Sequence, residues 1–478
     1  MKRIIFAVAV LLAALTSCDD KLDIVPKGQT TLETVTDLEY LLNNTIVIGT
    51  PMMDLGIVCN ECYGMSVNVP SQLLQTNTNE YAWLAYDEKV DRAALTSTDS
   101  RYNEAYKYIN YMNTIIEKAP KATGDDNKRK QIIAEAHIMR AYLHWLLVNI
   151  YAKQYDAATA ATEGGIPYVT NTSVFETKAK NTVAEVYEYI LEDCSEENIA
   201  ALPLHATDVV RGDQAWGNAV RAKALMQMKR YADALVYAQR ALEINGTIED
   251  RSNIPEQYDW ILPKQSPNNY IYMNDLIAPF GEVASIETMQ LFEPGDYVNE
   301  YACQMGMPPE EPGEIDPMSR AWSYLMGYMI SGVSGAYMFT GMSAYVNAYG
   351  ITAERMYYVA AECMIRTNQI QDGLNLVNKV REYRIDEEHY TPFSAETEAE
   401  AMALLQPCKW IECIATYENF FDCKRWNSEP DYRRTITRTI YDDDMNPVTY
   451  ELSPDSPLWV FPFPADAVSR NPTLTQNY

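Results

Sequence analysis

Histidine is scarce, 4 in 478 residues, and with it goes most catalysis that needs an imidazole titrating near neutrality. The chain also lacks a Gly-x-Ser-x-Gly elbow, a P-loop, a Gly-x-Gly-x-x-Gly turn and a His-Glu-x-x-His pair. Serine hydrolysis, nucleotide-dependent chemistry and zinc proteolysis are thereby left without a carrier. Positive charge is short as well: 38 Lys and Arg stand against 66 Asp and Glu, a formal charge of −28. Phosphate backbones need a basic face, so nucleic acid is excluded as a partner. After residue 18 no apolar run approaches the roughly 18 residues that a membrane-spanning helix needs. Carboxylates are so plentiful that counting alone does not exclude a glycosidase pair, but no motif singles one out. The chain reads as a binding protein, not an enzyme, and no cofactor is expected.

Phenylalanine is also sparse, 10 residues against 35 Tyr and 8 Trp. Rings with one polar edge suit a wet recognition surface, and they serve equally well between packed helices. Among the 9 cysteines, Cys59-Asn60-Glu61-Cys62 has the spacing of a redox or zinc half-site. No second CxxC and no nearby His completes a zinc set, so no metal site is expected, while a disulfide between the two stays open. Cys363 and Cys413 fall in helical apolar runs, where a thiol acts as a small hydrophobe. Asp442-Asp443-Asp444 lacks the spacing of a dedicated calcium loop and reads as a solvated turn. His137 and His144 share one face of a predicted helix two turns apart, too far to chelate one metal, and read as packed or capped.

Helical periodicity dominates what is present. Residues 351–384 carry Met356, Tyr357, Ala360, Ala361 and Met364, then Ile370, Leu374, Val377 and Val380, with a polar break at Thr367-Asn368-Gln369 between the runs. That pattern predicts a helical hairpin, with Ala361 and Gly373 small enough for close backbone approach. Its length fits the roughly 34-residue tetratricopeptide (TPR) unit. Ala222, Leu225, Tyr231, Ala234, Leu235, Ala238 and Ala241 repeat the design. Further helices are predicted over 101–118, 129–153 and from 182 onward. The expected fold is mainly α: a TPR-like helical-repeat scaffold with hairpins within about 101–242 and 352–420. Residues 247–345 are rich in Pro, Met, Gly and Tyr and show few helical stripes longer than two turns. They read as variable loops forming a ligand-binding surface.

Residues 1–17 have a charged start, Met1-Lys2-Arg3, and then a short apolar run, which is a secretory leader. Leu15-Thr16-Ser17-Cys18 resembles a bacterial lipobox, in which Cys18 becomes the lipidated first residue of a mature domain over 18–478. Ala134-Glu-Ala-His-Ile-Met-Arg-Ala-Tyr142, Leu147-Val-Asn-Ile-Tyr151 and Gly164-Gly-Ile-Pro167 resemble the signature of the SusD/RagB family of outer-membrane nutrient-binding lipoproteins. So do the segment Thr182 to Asp193 with Ala201-Leu-Pro203, the hairpin from Gly350, and Phe420-Phe-Asp-Cys-Lys-Arg-Trp426. The ending, Trp459-Val-Phe-Pro-Phe-Pro464 with Asn471-Pro-Thr-Leu-Thr-Gln-Asn477, agrees. Two departures, Thr352 and Asn419 where many members carry Arg, put an internal ion pair in doubt.

That resemblance implies a cell-surface lipoprotein, held in the outer membrane by its lipid alone, with Asp19-Asp20 similar to the export signal of such proteins in the Bacteroidetes. It implies capture of an oligosaccharide and its delivery to a TonB-dependent, SusC-like transporter. The alternative is a peptide-binding member of the family, or a docking scaffold without a small ligand, since TPR hairpins often bind protein. A pyranose needs flat rings for its apolar face and polar groups for its hydroxyls. Two clusters have that composition: Tyr81, Trp83 and Tyr86 with Asn79 and Asp87, and Tyr297, Trp322 and Tyr324 with Asp296 and Arg320. Trp83 and Trp322 offer the largest stacking faces, and both read as lying outside helical stripes.

Overall fold

The computed structural model describes residues 32–43, 53–65, 68–173, 175–252, 267–273, 276–277, 282–302, 317–338, 346–441 and 446–478. The leader, Cys18 and Asp442-Asp443-Asp444 lie outside the described residues.

Helices build the scaffold, and short polar residues start them. Asp99 caps Ser100–Lys118, Asp125 caps Asp126–Tyr151 and Asp213 caps Gln214–Gln227, each carboxylate accepting from an amide of the first turn. Thr182 and Thr397 add the reciprocal glutamate at Glu185 and Glu400, forming capping boxes on Val183–Asp193 and Glu398–Glu412. The two predicted hairpins are present as Gln214–Gln227 with Tyr231–Ile244 and as Ala353–Ile365 with Ile370–Arg381. They turn alike: Lys229 (φ 60°) and Asn368 (φ 66°) take the left-handed conformation one residue before the start of the second helix's cap. In the second hairpin a Cβ on Gly373 would stand 2.6 Å from the carbonyl oxygen of Ala361, so the predicted close approach is real. Helices 231–244 and 353–365 pack on one another and join the hairpins into one stack. The mainly α, TPR-like reading is the fold observed.

A buried ionic cluster locks the C-terminal helices. Arg425 pairs with Glu362 (2.6 Å) and Asp422 (2.8 Å), and Lys409 with Asp422 (2.7 Å) and Glu362 (3.1 Å), all among the most shielded side chains of the molecule. Burial alone would raise the Glu362 carboxyl, but Arg425 and Lys409 outweigh it and hold it well below the usual carboxylate range. The doubted positions are filled without an Arg. Thr352 caps helix 353–365, and Asn419 donates to the buried Glu61 carboxylate (2.6 Å) and to the Trp410 carbonyl (3.0 Å).

Strands are few and short. Cys62–Met65, Glu282–Ala284 and Tyr337–Met338 form an antiparallel sheet with the second strand central. Ile436–Tyr441 and Pro447–Leu452 form a hairpin, from which Arg438 reaches inward to the carbonyl oxygens of Trp83 (2.9 Å), Leu84 (2.7 Å) and Ile57. One expectation is corrected and one open question is answered. Residues 317–331, within the segment read as loop, form a helix of 15 residues packed on the sheet. Cys59 and Cys62 are both buried and are not joined by a disulfide, and Cys59 donates to the Gly56 carbonyl. His144 is enclosed, donating to the Arg140 carbonyl (2.8 Å) and stacked on Tyr168, and burial pushes its imidazole down to about 3 so that it stays neutral. His137 sits against Asp193 (2.7 Å). Both are packed residues.

Candidate functional site

One end of the aromatic core opens into a cleft of about 330 Å³. Its first wall is the short helix Asn79–Ala85, which starts where the Thr78 hydroxyl accepts from the Tyr81 amide and ends at Tyr86 in the left-handed region (φ 52°). The Arg438 bonds to the Trp83 and Leu84 carbonyls fix this helix at its end. Trp83 is thereby presented with its ring 5.5 Å from that of Phe461. Phe461 in turn rests on Phe420, so the cleft's apolar floor continues the core.

The facing wall is the run Thr96-Ser97-Thr98-Asp99-Ser100 leading into the helix 100–118. Short polar residues belong there, because the first amides of a helix need acceptors. Asp99 serves as cap and as ion partner. It receives Arg101 (2.9 Å) and the Tyr151 hydroxyl (2.6 Å). Burial pushes its carboxyl up, but Arg101 and Tyr151 outweigh that and leave it below its ordinary value. Arg101 also pairs with Asp54 (2.7 Å) and lies 5.0 Å over the Phe461 ring. For Asp54, burial prevails over Arg101 and the carboxyl rises above its usual value. Asn79 donates to Thr96 (3.0 Å), which orients its amide. The Asn79 Oδ1 and the Trp83 indole N–H are buried without a hydrogen-bond partner, a state that costs about 1–3 kcal/mol each. The cleft can therefore offer one flat aromatic platform and a row of hydroxyls.

Of the sequence candidates, the structure brings Asn79 and Trp83 into this cleft, and Trp83 stands in a helix, not in an irregular segment. Tyr81 is partly buried on the same helix outside the cleft, and Asp87 only caps a local turn at the Lys89 amide. Tyr86 is corrected to a core residue: the left-handed turn points its ring inward, where Arg438 lies 4.5 Å over it. Of the second cluster, only Asp296, Tyr297 and Tyr324 have described side chains, and none of them lines this cleft. Tyr297 is buried with its amide donating to the Arg384 carbonyl, and Asp296 is enclosed and holds the Val298 and Asn299 amides. Burial raises the Asp296 carboxyl to about 6, although those amides and Arg251 oppose it. Tyr324 is packed edge-on against Tyr337 of the sheet instead (4.9 Å). Arg320 and Trp322 have their backbone in helix 317–331, and their side chains lie outside the described residues. Sequence reasoning missed Asp54, Thr96 to Arg101 and Phe461. The polar run before a helix was the available signal for the second wall, whereas Phe461 read only as part of a closing motif.

Residues 21–215 match a family model described as starch-binding, associating with the outer membrane, and residues 344–478 match the model of the SusD family. No curated protein sequence matches the chain significantly. Solved structures do. A SusD superfamily protein of Bacteroides thetaiotaomicron, 15% identical, aligns with a TM-score of 0.68 over 93% of this chain and 100% of its own. A SusD-like carbohydrate binding protein of Bacteroides vulgatus, also 15% identical, gives 0.64 over 92% and 97%. Surface glycan-binding protein A of Bacteroides uniformis, 13% identical, gives 0.66 over 93% and 99%. At these identities the likeness establishes a common fold.

Proposed function

Since the chain belongs to the SusD/RagB family, whose members bind glycans at the outer membrane, we propose that it is a cell-surface lipoprotein that captures an oligosaccharide and passes it to a TonB-dependent, SusC-like transporter. The observation that carries the reading is the cleft where the Trp83 and Phe461 rings stand beside Asn79 and a row of Thr and Ser hydroxyls. A pyranose has one apolar C–H face that covers an aromatic ring and a rim of hydroxyls that need partners. The hydroxyls of Ser97, Thr98 and Ser100 along the cleft are donors and acceptors of the kind such a rim completes.

Delivery follows from a physical point. Among the described residues no helix is long and apolar enough to cross a membrane, so a chain of this kind captures a ligand and leaves its passage to a pore-forming partner. Co-purification with a large β-barrel protein from outer membranes under mild detergent is the expected outcome, and recovery as a free monomer counts against it.

For the site, Trp83→Ala should weaken binding of whichever polysaccharide the wild type retains by about thirtyfold, the effect of losing a stacking anchor of about 2 kcal/mol. Trp83→Phe, which keeps the packing on Phe461, should lose less. Affinity gels or calorimetry with thermal melting alongside make the check. Unchanged affinity in the Ala variant would remove Trp83 from the site, and a collapse in melting temperature in both variants would mark the indole as core.

A further inference from the structure

Resting on the reading of the Trp83 cleft as the glycan site, we infer that it admits neutral sugars and turns away glycans that carry uronate carboxylates or sulfates. The charged side chains lining the cleft are Asp54, Asp99 and Arg101. Arg101 is held from two sides: Nη1 lies 2.7 Å from Asp54, while Nη2 and Nε donate to Asp99 at 2.9 and 3.2 Å. Asp99 closes its Nε–Nη2 edge, and although one N–H on each Nη stays unused, two carboxylates already outweigh this single cation toward an acidic ligand. One cation against two carboxylates leaves the cleft negative, and protonation of Asp54 would still leave Arg101 bound to Asp99.

The other feature that draws anions is cancelled too. The cleft includes the start of the 19-residue helix 100–118, whose first amides and dipole would attract a carboxylate or sulfate. Asp99 already occupies that position, its carboxylate accepting from the Arg101 amide at 2.9 Å. A further carboxylate, Asp466, flanks the same wall, its amide donating to the Ser97 carbonyl at 3.0 Å and its Oδ2 accepting from Asn103 at 3.3 Å. The rest of the cleft's polar lining is neutral, the hydroxyls of Thr96, Ser97, Thr98 and Ser100, of which Thr96 already donates to the Arg92 carbonyl (2.8 Å) and accepts from Asn79 (3.0 Å). These exchange hydrogen bonds with sugar hydroxyls and have no charge to offer. The formal charge of −28 over the whole chain adds a field of the same sign.

The test uses the soluble, leaderless protein on native gels cast with neutral polysaccharides (starch, arabinoxylan, galactomannan, mixed-linkage glucan) or anionic ones (polygalacturonate, alginate, chondroitin sulfate, heparin), with Trp83→Ala run beside it. At least one neutral polysaccharide should retard the wild type and not the variant. Every anionic polysaccharide should bind at least about tenfold more weakly, given like charges at contact distance. Retention should change by less than about twofold between about 50 and 500 mM NaCl, because a neutral ligand has no charge for salt to screen. Retardation by an anionic polysaccharide that the Trp83→Ala change abolishes would overturn the inference while leaving the glycan site standing. No retardation by any polysaccharide, or retardation indifferent to Trp83, would remove both.

Discussion

Lys424 lies wholly inside the molecule, donating to the carbonyl oxygens of Asn149 (2.5 Å) and Ala152 (2.8 Å) at the end of helix 126–151. A positive group suits the C-terminal end of a helix, where carbonyls lack amide partners. No carboxylate offsets the loss of water, and burial pushes the ammonium down to about 7. An unfolded chain keeps that proton up to about pH 10.4. Between roughly pH 7 and 10 the folded state therefore binds fewer protons, so this group's penalty is complete below pH 7 and is relieved as pH rises. Lys424→Met lacks the titration. Its melting temperature relative to wild type should be highest near pH 6 and should fall steadily toward pH 9; parallel curves would show that the ammonium is solvated or paired. At this same scale the site was half legible. Composition pointed to Tyr81, Trp83 and Tyr86 together, but only backbone geometry decides that Trp83 faces the cleft while Tyr86 turns under Arg438. Phe461 and Arg101 arrive from distant segments, and no local pattern pairs them with Trp83.

Hairpin elements were readable because their apolar stripes, polar breaks and small residues all follow from a 3.6-residue period. The helix 317–331 was not, and the reason is visible in it. Leu325, Tyr328 and Met329 stay exposed, while the buried row includes Ser323, Gly327 and Ser331, so the inward face does not read as an apolar stripe. Pro317 and Gly327 look like loop residues, yet Pro is favoured in the first turn of a helix, and a Cβ at Gly327 would stand 2.3 Å from the Ala336 carbonyl oxygen. Gly373 gives the corresponding test in the readable hairpin. Ala in its place gains about 1 kcal/mol of helix propensity. Its methyl, however, would meet the Ala361 oxygen at 2.6 Å and Ile365 at 2.7 Å, and a backbone atom cannot swing away. Overpacking of this kind costs about 1–3 kcal/mol. Gly373→Ala should thus lower stability by up to about 2 kcal/mol in denaturant melts. The exposed neighbour Asp372→Ala should change little, and a more stable Gly373→Ala protein would mean that the helices separate without cost.

Across the whole molecule, charge decides how the protein can be held at a membrane. Attachment without a spanning helix takes two signals when each is weak, and a common second signal is a basic patch drawn to anionic headgroups. A chain with a formal charge of −28 offers no such attraction. The anchor proposed at Cys18 would then be the sole attachment to lipid, contributing about 0.8 kcal/mol for each acyl CH₂ group buried in the bilayer. Release should accordingly be all-or-none. In a host that lacks the transporter, a variant with residues 1–17 exchanged for an ordinary cleavable secretory leader and Cys18 changed to Ser should leave the membrane fraction entirely. Its affinity for the retained polysaccharide should be unchanged, since the cleft is built from residues 54 to 462. A variant that stays with the membranes through a high-salt wash would sink the lipid anchor. Loss of polysaccharide binding on release would show that the site needs the membrane or a membrane partner to complete it.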